Sequence, residues 1–97
     1  MGHSFLEKET LYNQNPYCHW CKKLMHLYRA GDIKQYEQIP DDAATVEHIY
    51  PHGSKQRNWY KSHHIRSPIV LACLKCNSER GCMPYEKFKE KINEKRL

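Results

Sequence analysis

Residues 71 to 81 read LACLKCNSERG, and this stretch determines how the fold is assembled. The apolar residues that end at Ala72 favour an extended strand, and Cys73 and Cys76 follow with the two-residue spacing of a metal-binding turn. A short run of helix-compatible residues comes next, and Gly81 is typical of the position just after a helix. The stretch therefore predicts a strand, a metal-binding turn and a short helix in direct succession.

A second cysteine pair with the same spacing stands near the start of the chain, in the sequence CHWC at residues 18 to 21. Each Cys-x-x-Cys turn directs two sulfurs to one side, so two turns complete the tetrahedral shell that Zn²⁺ prefers. We therefore predict a structural zinc bound by four residues: Cys18, Cys21, Cys73 and Cys76. The alternatives are redox-active or disulfide-bonded pairs, or cysteines that are simply buried. Cys82, the odd cysteine, is predicted to be a buried small side chain, and His19 to be a surface or packing residue, both outside the shell.

The composition is that of a small domain that needs such a metal. The chain has 97 residues, and its mean hydropathy is −0.94, so the apolar core is small and zinc binding would add to the folding free energy. We expect one domain over residues 1–97, with a core from about residue 16 to 90 and helical extensions at 1–15 and 84–97. Monomer is the default expectation.

No apolar run in the sequence is long enough to span a bilayer or to act as a signal peptide, and residues 69–74 form the longest one. We therefore expect a cytoplasmic protein with no membrane partner. In a reducing compartment the odd total of five cysteines favours metal binding over disulfides. The formal net charge of +5 permits an anionic partner.

Residues 44 to 53, ATVEHIYPHG, predict the other strand and end it with an acid and a histidine. The β-branched residues before this pair favour extended backbone, and Pro51 stops the strand. Because adjacent residues of a regular strand point to opposite faces, Glu47 and His48 do not face one point unless the strand is already ending there.

These residue types are suited to phosphodiester hydrolysis. An imidazole has an ordinary pKa near ~6.5, so His48 can accept a proton from water at neutral pH. Carboxylate and amide oxygens, such as those of Glu47 and of Asn77 after the second cysteine pair, are ligands for hydrated Mg²⁺ or Mn²⁺. Each residue also has an ordinary alternative, namely a surface histidine, a solvated carboxylate and a helix-capping asparagine.

In this order, the motifs CHWC, EHIYPHG and LACLKCNSERG resemble the HNH endonuclease family in its zinc-stabilised form. The resemblance runs from residue 18 to about residue 88. It implies an α+β, treble-clef-like domain of the ββα-metal type, in which a hairpin and a helix hold a catalytic Mg²⁺, Mn²⁺ or Ni²⁺ ion. It also implies hydrolysis of DNA, with His48 as the general base and with Glu47 and Asn77 as ligands of that ion.

The sequence departs from the family pattern at Pro68. The family expects an asparagine there, five residues before the third cysteine, to fix the hairpin loop and help hold the base histidine. Pro68 keeps a carbonyl but has no N–H, so Asn58, Ser67, His63 or His64 are candidate substitutes. The alternative function is a non-catalytic zinc-stabilised module that binds nucleic acid, and a weaker third reading is a protein-interaction domain.

Basic residues are concentrated in the second half of the chain. No Asp or Glu occurs between His48 and Ser78, and we expect this window to face a phosphate backbone. Four residues are predicted to contact phosphates: Lys55, Arg57, Arg66 and Arg80. The ordinary alternative for each is a solvated surface charge. Trp59 and Tyr60 are predicted to pack under a loop, with stacking on a base as the alternative.

Local patterns predict the remaining elements. Apolar spacing favours helices at residues 4–12, at 22–30 before Gly31, and from Pro84 onward, the last with one apolar face formed by Tyr85, Phe88 and Ile92. Polar residues with Pro and Gly predict loops at 32–42 and 51–68.

Overall fold

The computed structural model describes residues 5–29, 31–34 and 37–96. The first four residues of the predicted N-terminal extension lie outside this range, as do residues 30, 35, 36 and 97. The described elements are α1 Phe5–Gln14, β1 Ala44–His48, α2 Lys55–Ser62, β2 Ile69–Cys73, α3 Leu74–Arg80 and α4 Tyr85–Arg96. A two-stranded antiparallel sheet and four helices in these residues confirm the predicted α+β class.

The two strands pair so that the ends of the hairpin have different characters. Ala44 lies opposite Cys73 at one end, and His48 lies opposite Ile69 at the other. The hydroxyl of Thr45 adds a hydrogen bond across the hairpin to the carbonyl oxygen of Ala72, at 2.7 Å. One end of the sheet therefore leads into the second cysteine turn, and the other end carries His48, the predicted general base.

The core lies between the hairpin, the first cysteine turn and α4. Trp20 and Phe88 pack edge to face, with ring centroids 4.8 Å apart. The buried cluster consists of Cys18, Trp20, Met25, Ala44, Leu71, Ala72, Cys73, Cys76 and Phe88. Five of these nine residues are cysteine or alanine, so little apolar area is removed from water and burial alone stabilises the fold weakly.

Three helices follow the sequence prediction. α1 includes residues 5–12 of the predicted 4–12 segment, and α3 ends before Gly81, whose positive φ of 53° suits a residue without a β-carbon. α4 follows Pro84 and buries Phe88 completely, with Tyr85 and Ile92 packed against the same core. None of the helices in the described ranges is both long enough and apolar enough to cross a membrane.

The residues after the first cysteine pair form no helix, so the predicted helix at 22–30 is wrong for residues 22–29, the part that the structure describes. Leu24 forms an antiparallel bridge with Tyr17, and His26 forms a parallel bridge with Ala43. These pairings bring the chain back along itself, so that the first cysteine turn faces the second. Long-range pairing thus outweighs the helical spacing of the apolar residues.

The predicted loop at 51–68 contains the helix α2. Ser54 caps its first turn, because the serine Oγ accepts a hydrogen bond from the backbone N–H of Arg57 at 3.2 Å. The helix has no buried residue, and its two apolar residues, Trp59 and Tyr60, are adjacent, so no apolar residue recurs after three or four positions. Ser54, a residue type that is favoured just before a helix, is the sequence feature that indicates α2.

Candidate metal centre and strand-end site

The four predicted cysteines form one cluster. Their Sγ atoms all lie within 4.8 Å of one another, and those of Cys21 and Cys73 are 3.9 Å apart. A tetrahedral zinc with Zn–S bonds of about 2.3 Å separates its sulfurs by about 3.8 Å, so the cluster fits this ion. The predicted site for a structural metal such as zinc is therefore confirmed.

Backbone hydrogen bonds shape the first cysteine turn. The N–H of Cys18 donates to the carbonyl oxygen of Lys23 at 2.9 Å, and the N–H of Lys22 donates to the carbonyl oxygen of Cys18 at 3.0 Å. Lys22 has a positive φ of 64°, which turns the chain sharply after Cys21. The second turn needs no such distortion, because Cys73 ends β2 and Cys76 lies in the first turn of α3.

The thiols differ in how readily they ionise. Burial raises the pKa of Cys73 and of Cys76, and the neighbouring cysteine sulfurs raise that of Cys76 further. Burial also acts to raise the pKa of Cys18, but hydrogen bonds to its Sγ reverse the net direction and lower it. Two of these come from the backbone N–H groups of Cys73 and Trp20, at 3.3 and 3.4 Å. Cys18 therefore forms a thiolate more readily than Cys73 and Cys76, whose ionisation a bound cation would favour.

The residues predicted to lie outside the cluster do so, although one is placed differently from expected. His19 bonds through Nε2 to the hydroxyl of Tyr85 at 2.8 Å, as a packing residue beside the core. Cys82 is exposed, so the suggestion that it is a buried packing residue is wrong.

Glu47 lies in the interior of the protein. The residue is 6% exposed, and its Oε1 lies 3.2 Å from Nη1 of Arg80. Its Oε2 accepts a hydrogen bond from the indole N–H of Trp20 at 3.3 Å. Burial raises the pKa of Glu47, while Arg80 and Trp20 oppose this rise. Both carboxylate oxygens thus have partners within the protein.

Arg80 is also interior, although the sequence analysis expected it to contact phosphates. It is 2% exposed, and its guanidinium donates to the carbonyl oxygens of His48 and Ile49, both at 2.7 Å, and of Met83 at 2.9 Å. The guanidinium carbon lies 5.5 Å from the centroid of the Trp20 ring. We therefore assign Arg80 a structural role, in which it fastens the end of β1 to α3.

Asn77 also fastens α3 to β1. Its amide nitrogen donates to the hydroxyl of Thr45 at 2.9 Å and to the carbonyl oxygen of Val46 at 3.3 Å. Asn77 and Arg80 lie on the same side of the helix, three positions apart, and they meet successive segments of the strand. The helix therefore runs alongside β1 toward the end that carries His48.

These positions do not fit the second, catalytic ion in the arrangement observed. A divalent ion at Glu47 would have to displace or repel the guanidinium of Arg80 in a site with little water. Asn77 presents its amide nitrogen, not its oxygen, to the strand. Among the described residues, the four cysteines form the one group of three or more His, Cys, Asp or Glu side chains that could hold a metal ion.

His48 is half-buried at the last position of β1, where alternation places it on the opposite strand face from Glu47. Its backbone is held from both sides, because Arg80 binds its carbonyl oxygen and β2 pairs with it. The carbonyl oxygen of Pro68 accepts a hydrogen bond from the N–H of Ile49 at 3.2 Å. The hairpin thus stays paired beyond His48 even though Pro68 has no N–H.

The remaining predicted phosphate contacts lie at or near the surface. Lys55 is exposed and Arg57 is half-buried on α2. Arg66 is exposed but forms an ion pair with Glu7 of α1, with its Nη1 3.0 Å from Oε2. Trp59 is 50% exposed, so the expectation that it packs under a loop is wrong.

Sequence reasoning missed two groupings near the strand end. One is the buried set of Glu47, Arg80 and Trp20, whose members are far apart in the sequence. The other is the stacking of Trp59 on His63, for which the four-residue helical spacing was the available signal.

Comparison of the chain with protein-family models, curated proteins and solved structures found no match. The likeness to HNH endonucleases therefore rests on the three sequence motifs.

Proposed function

We propose that the protein is a small zinc-stabilised endonuclease of the HNH type, which hydrolyses phosphodiester bonds in DNA with His48 as the general base. The observation that carries this proposal is the position of His48. It is half-buried at a strand end whose backbone is held by Arg80, directly before a window of the chain that contains no acidic residue.

The chemistry assigned to His48 is proton removal. Its imidazole takes a proton from water, the water oxygen forms a bond to phosphorus, and the bond from phosphorus to the leaving ester oxygen breaks. The leaving oxygen takes a proton from solvent. Lys55 and Arg57 supply positive charge for the non-bridging oxygens, since phosphate is bound well by such groups.

The family resemblance also calls for a divalent ion, which would neutralise charge on the phosphate when bound. Because the arrangement around Glu47 does not fit that ion, we propose instead that Glu47 positions the strand end through Arg80. No step of the proposed reaction is assigned to Glu47 or Asn77.

A plasmid-nicking assay tests the proposal. The zinc-loaded protein is incubated with supercoiled plasmid without added metal and with Mg²⁺, Mn²⁺ or Ni²⁺. We expect nicked or linear product, and a loss of rate of about 10²- to 10⁴-fold in His48→Ala, the usual range for removing a general base. His52→Ala, a nearby exposed histidine, is the matched control and should cleave normally. Absence of cleavage with every ion, or equal cleavage by His48→Ala, would refute the proposal.

The second candidate is the non-catalytic nucleic-acid-binding module. The burial of Glu47 against Arg80 favours it, because that pair occupies the donors expected for a catalytic ion. It predicts that the logarithm of the DNA-binding constant falls linearly with the logarithm of the salt concentration. It also predicts that His48→Ala leaves this binding unchanged. Metal analysis would then find one zinc per chain and no further ion.

A further inference from the structure

We propose that α2 and the residue Tyr50 form a stacking site for an unpaired nucleotide, so that the substrate is DNA with a single-stranded segment. This inference rests on the proposed function insofar as it takes DNA as the partner. The site is an open groove of about 470 Å³, within the usual size range of small-ligand pockets. Its lining residues are Tyr50, Lys55, Gln56, Trp59 and Tyr60.

Three aromatic rings line the groove, and each of them has a stacking contact with a neighbouring ring. Trp59 stacks on His63, with ring centroids 4.1 Å apart and an angle of 23° between the planes. The Nδ1 atom of His63 lies 2.8 Å from the carbonyl oxygen of Trp59, which fixes the imidazole to the helix. Tyr60 stacks on Tyr50, with centroids 5.8 Å apart. The rings are thus set in place before any ligand arrives, which reduces the entropy lost on binding.

The exposure of Trp59 has no explanation in the packing of this domain. Half of the side chain is accessible, and α2 buries none of its residues. An indole placed on a helix that adds nothing to the core is available for binding, as tryptophan commonly is at interaction sites.

The charge around the groove selects an anionic partner. The window from residue 48 to 78 contains no acidic residue, and Lys55 lines the groove itself. A nucleotide satisfies both features at once, because its phosphate pairs with lysine while its base stacks on an aromatic ring. The amide of Gln56 can bond a base edge in the same groove.

The rings favour an unpaired strand over a duplex. In a duplex the faces of the bases are covered by their neighbours, so an aromatic side chain reaches them only where the strand is open. Tyr50 follows His48 by two residues, which places the groove beside the proposed site of hydrolysis. The unpaired nucleotide therefore lies next to the bond that is cut.

Tryptophan fluorescence and binding titrations test the site. The probes are a single-stranded oligothymidylate, a duplex of the same length, and heparin as a polyanion without bases. Because Trp20 is buried, we expect oligothymidylate to quench Trp59, and expect this quenching to disappear in Trp59→Phe. Trp59→Ala should weaken binding of oligothymidylate about 5- to 150-fold, the range for stacking of one base, while binding of heparin stays the same.

Ile65→Ala is the matched control variant, because Ile65 is also an exposed apolar residue of the basic window but has no aromatic face. It should bind oligothymidylate like the original protein. Equal affinities for Trp59→Ala and Ile65→Ala, or equal affinities of the original protein for the single strand and the duplex, would overturn the site. So would a change in oligomeric state in Trp59→Ala with unchanged DNA binding, which would identify the surface as a protein interface.

The two proposals fail separately. Quenching through Trp59 with no cleavage under any metal refutes the nuclease and leaves the stacking site standing. Normal cleavage, with oligothymidylate binding that does not depend on Trp59, refutes the stacking site and leaves the nuclease standing.

Discussion

The two ends of the hairpin differ in composition and burial although they belong to the same pair of five-residue strands. At the Ala44–Cys73 end, the side chains are buried and a cysteine leads into the metal cluster. At the His48–Ile69 end they are half-buried, and an exposed basic helix follows. The first end provides stability, and the second carries His48 and leads to the basic helix α2.

The helix α3 connects these two ends. It begins at the cysteine turn, bonds the middle of β1 through Asn77, and reaches the far end through Arg80. A helix anchored by a metal at its start can therefore hold His48 in place at its other end. We therefore expect the loss of global stability to decrease from the cysteine cluster, through Arg80, to the exposed helix α2, where damage should stay local.

Loss of the metal should have the largest effect. Replacement of Cys73 by serine, or removal of zinc by a chelator, should unfold the domain, because apparent zinc-binding free energies of about 10–16 kcal/mol exceed what a small core supplies. Circular dichroism during zinc titration of the reduced apo-protein measures this. Cys82→Ser, which removes an exposed cysteine outside the cluster, should leave folding unchanged. A cooperative fold without metal would contradict the expectation.

Loss of Arg80 should have the next largest effect. Arg80→Ala leaves Glu47 buried without its ion-pair partner, and breaking such a pair typically costs about 3–5 kcal/mol. Denaturant unfolding of the zinc-loaded protein measures the loss. Arg57→Ala, at a half-buried arginine of α2, is the control and should cost far less. Similar losses for the two variants would show that Arg80 does not hold the strand end.

The penalty of Arg80→Ala should also depend on pH. Burial raises the pKa of Glu47, so the folded protein holds this proton more tightly than the unfolded chain does. The stabilisation that protonated Glu47 contributes is fully present below its pKa in the unfolded chain. It is lost as the pH rises through its higher pKa in the folded protein. Because Arg80 opposes the rise in the pKa of Glu47, Arg80→Ala should lose more stability than the original protein as the pH increases. The free energies of unfolding of the two proteins should therefore be most similar at low pH. Both proteins lose zinc at low pH, so the measured quantity is the difference between their free energies of unfolding at each pH. A difference that does not change with pH would contradict this expectation.

Features set by short-range patterns could be predicted from the sequence. The spacing of Cys73 and Cys76 predicts the metal cluster, Gly81 predicts the end of α3, and the apolar spacing that includes Phe88 predicts the buried face of α4. In each case a local spacing or a single residue type carries the information. Both strands were identified for the same reason.

Features that depend on distant partners could not be predicted. Arg80 is an ordinary basic residue in the sequence, and only the folded arrangement shows that it turns inward to Glu47 and the end of β1. The segment after Cys21 has helical spacing, but it forms bridges with Tyr17 and Ala43 in place of a helix. The helix α2 escaped prediction because it buries nothing, so no apolar pattern marks it.

The smallest expected effect concerns the cap of α2. Ser54→Ala removes the side-chain oxygen that accepts from Arg57, and losing such a cap costs about 1 kcal/mol. Because α2 contributes nothing to the core, this cost should appear as fraying of α2 and not as unfolding of the domain. Amide hydrogen exchange within α2 should become about fivefold faster, while exchange in β2 and α3 stays the same.

Ser62→Ala, at the other end of α2, is the matched control, because it removes a serine hydroxyl without removing the N-terminal cap. Within the described residues, the Ser62 hydroxyl bonds the carbonyl oxygens of Asn58 and Trp59, which precede it in the helix, so its loss should change exchange little. Faster exchange at Cys73 or Cys76 in Ser54→Ala would mean that the two ends of the hairpin are coupled. Exchange confined to α2 would mean that the domain can alter its basic, aromatic surface without weakening the metal end, which is the property required if that surface binds DNA.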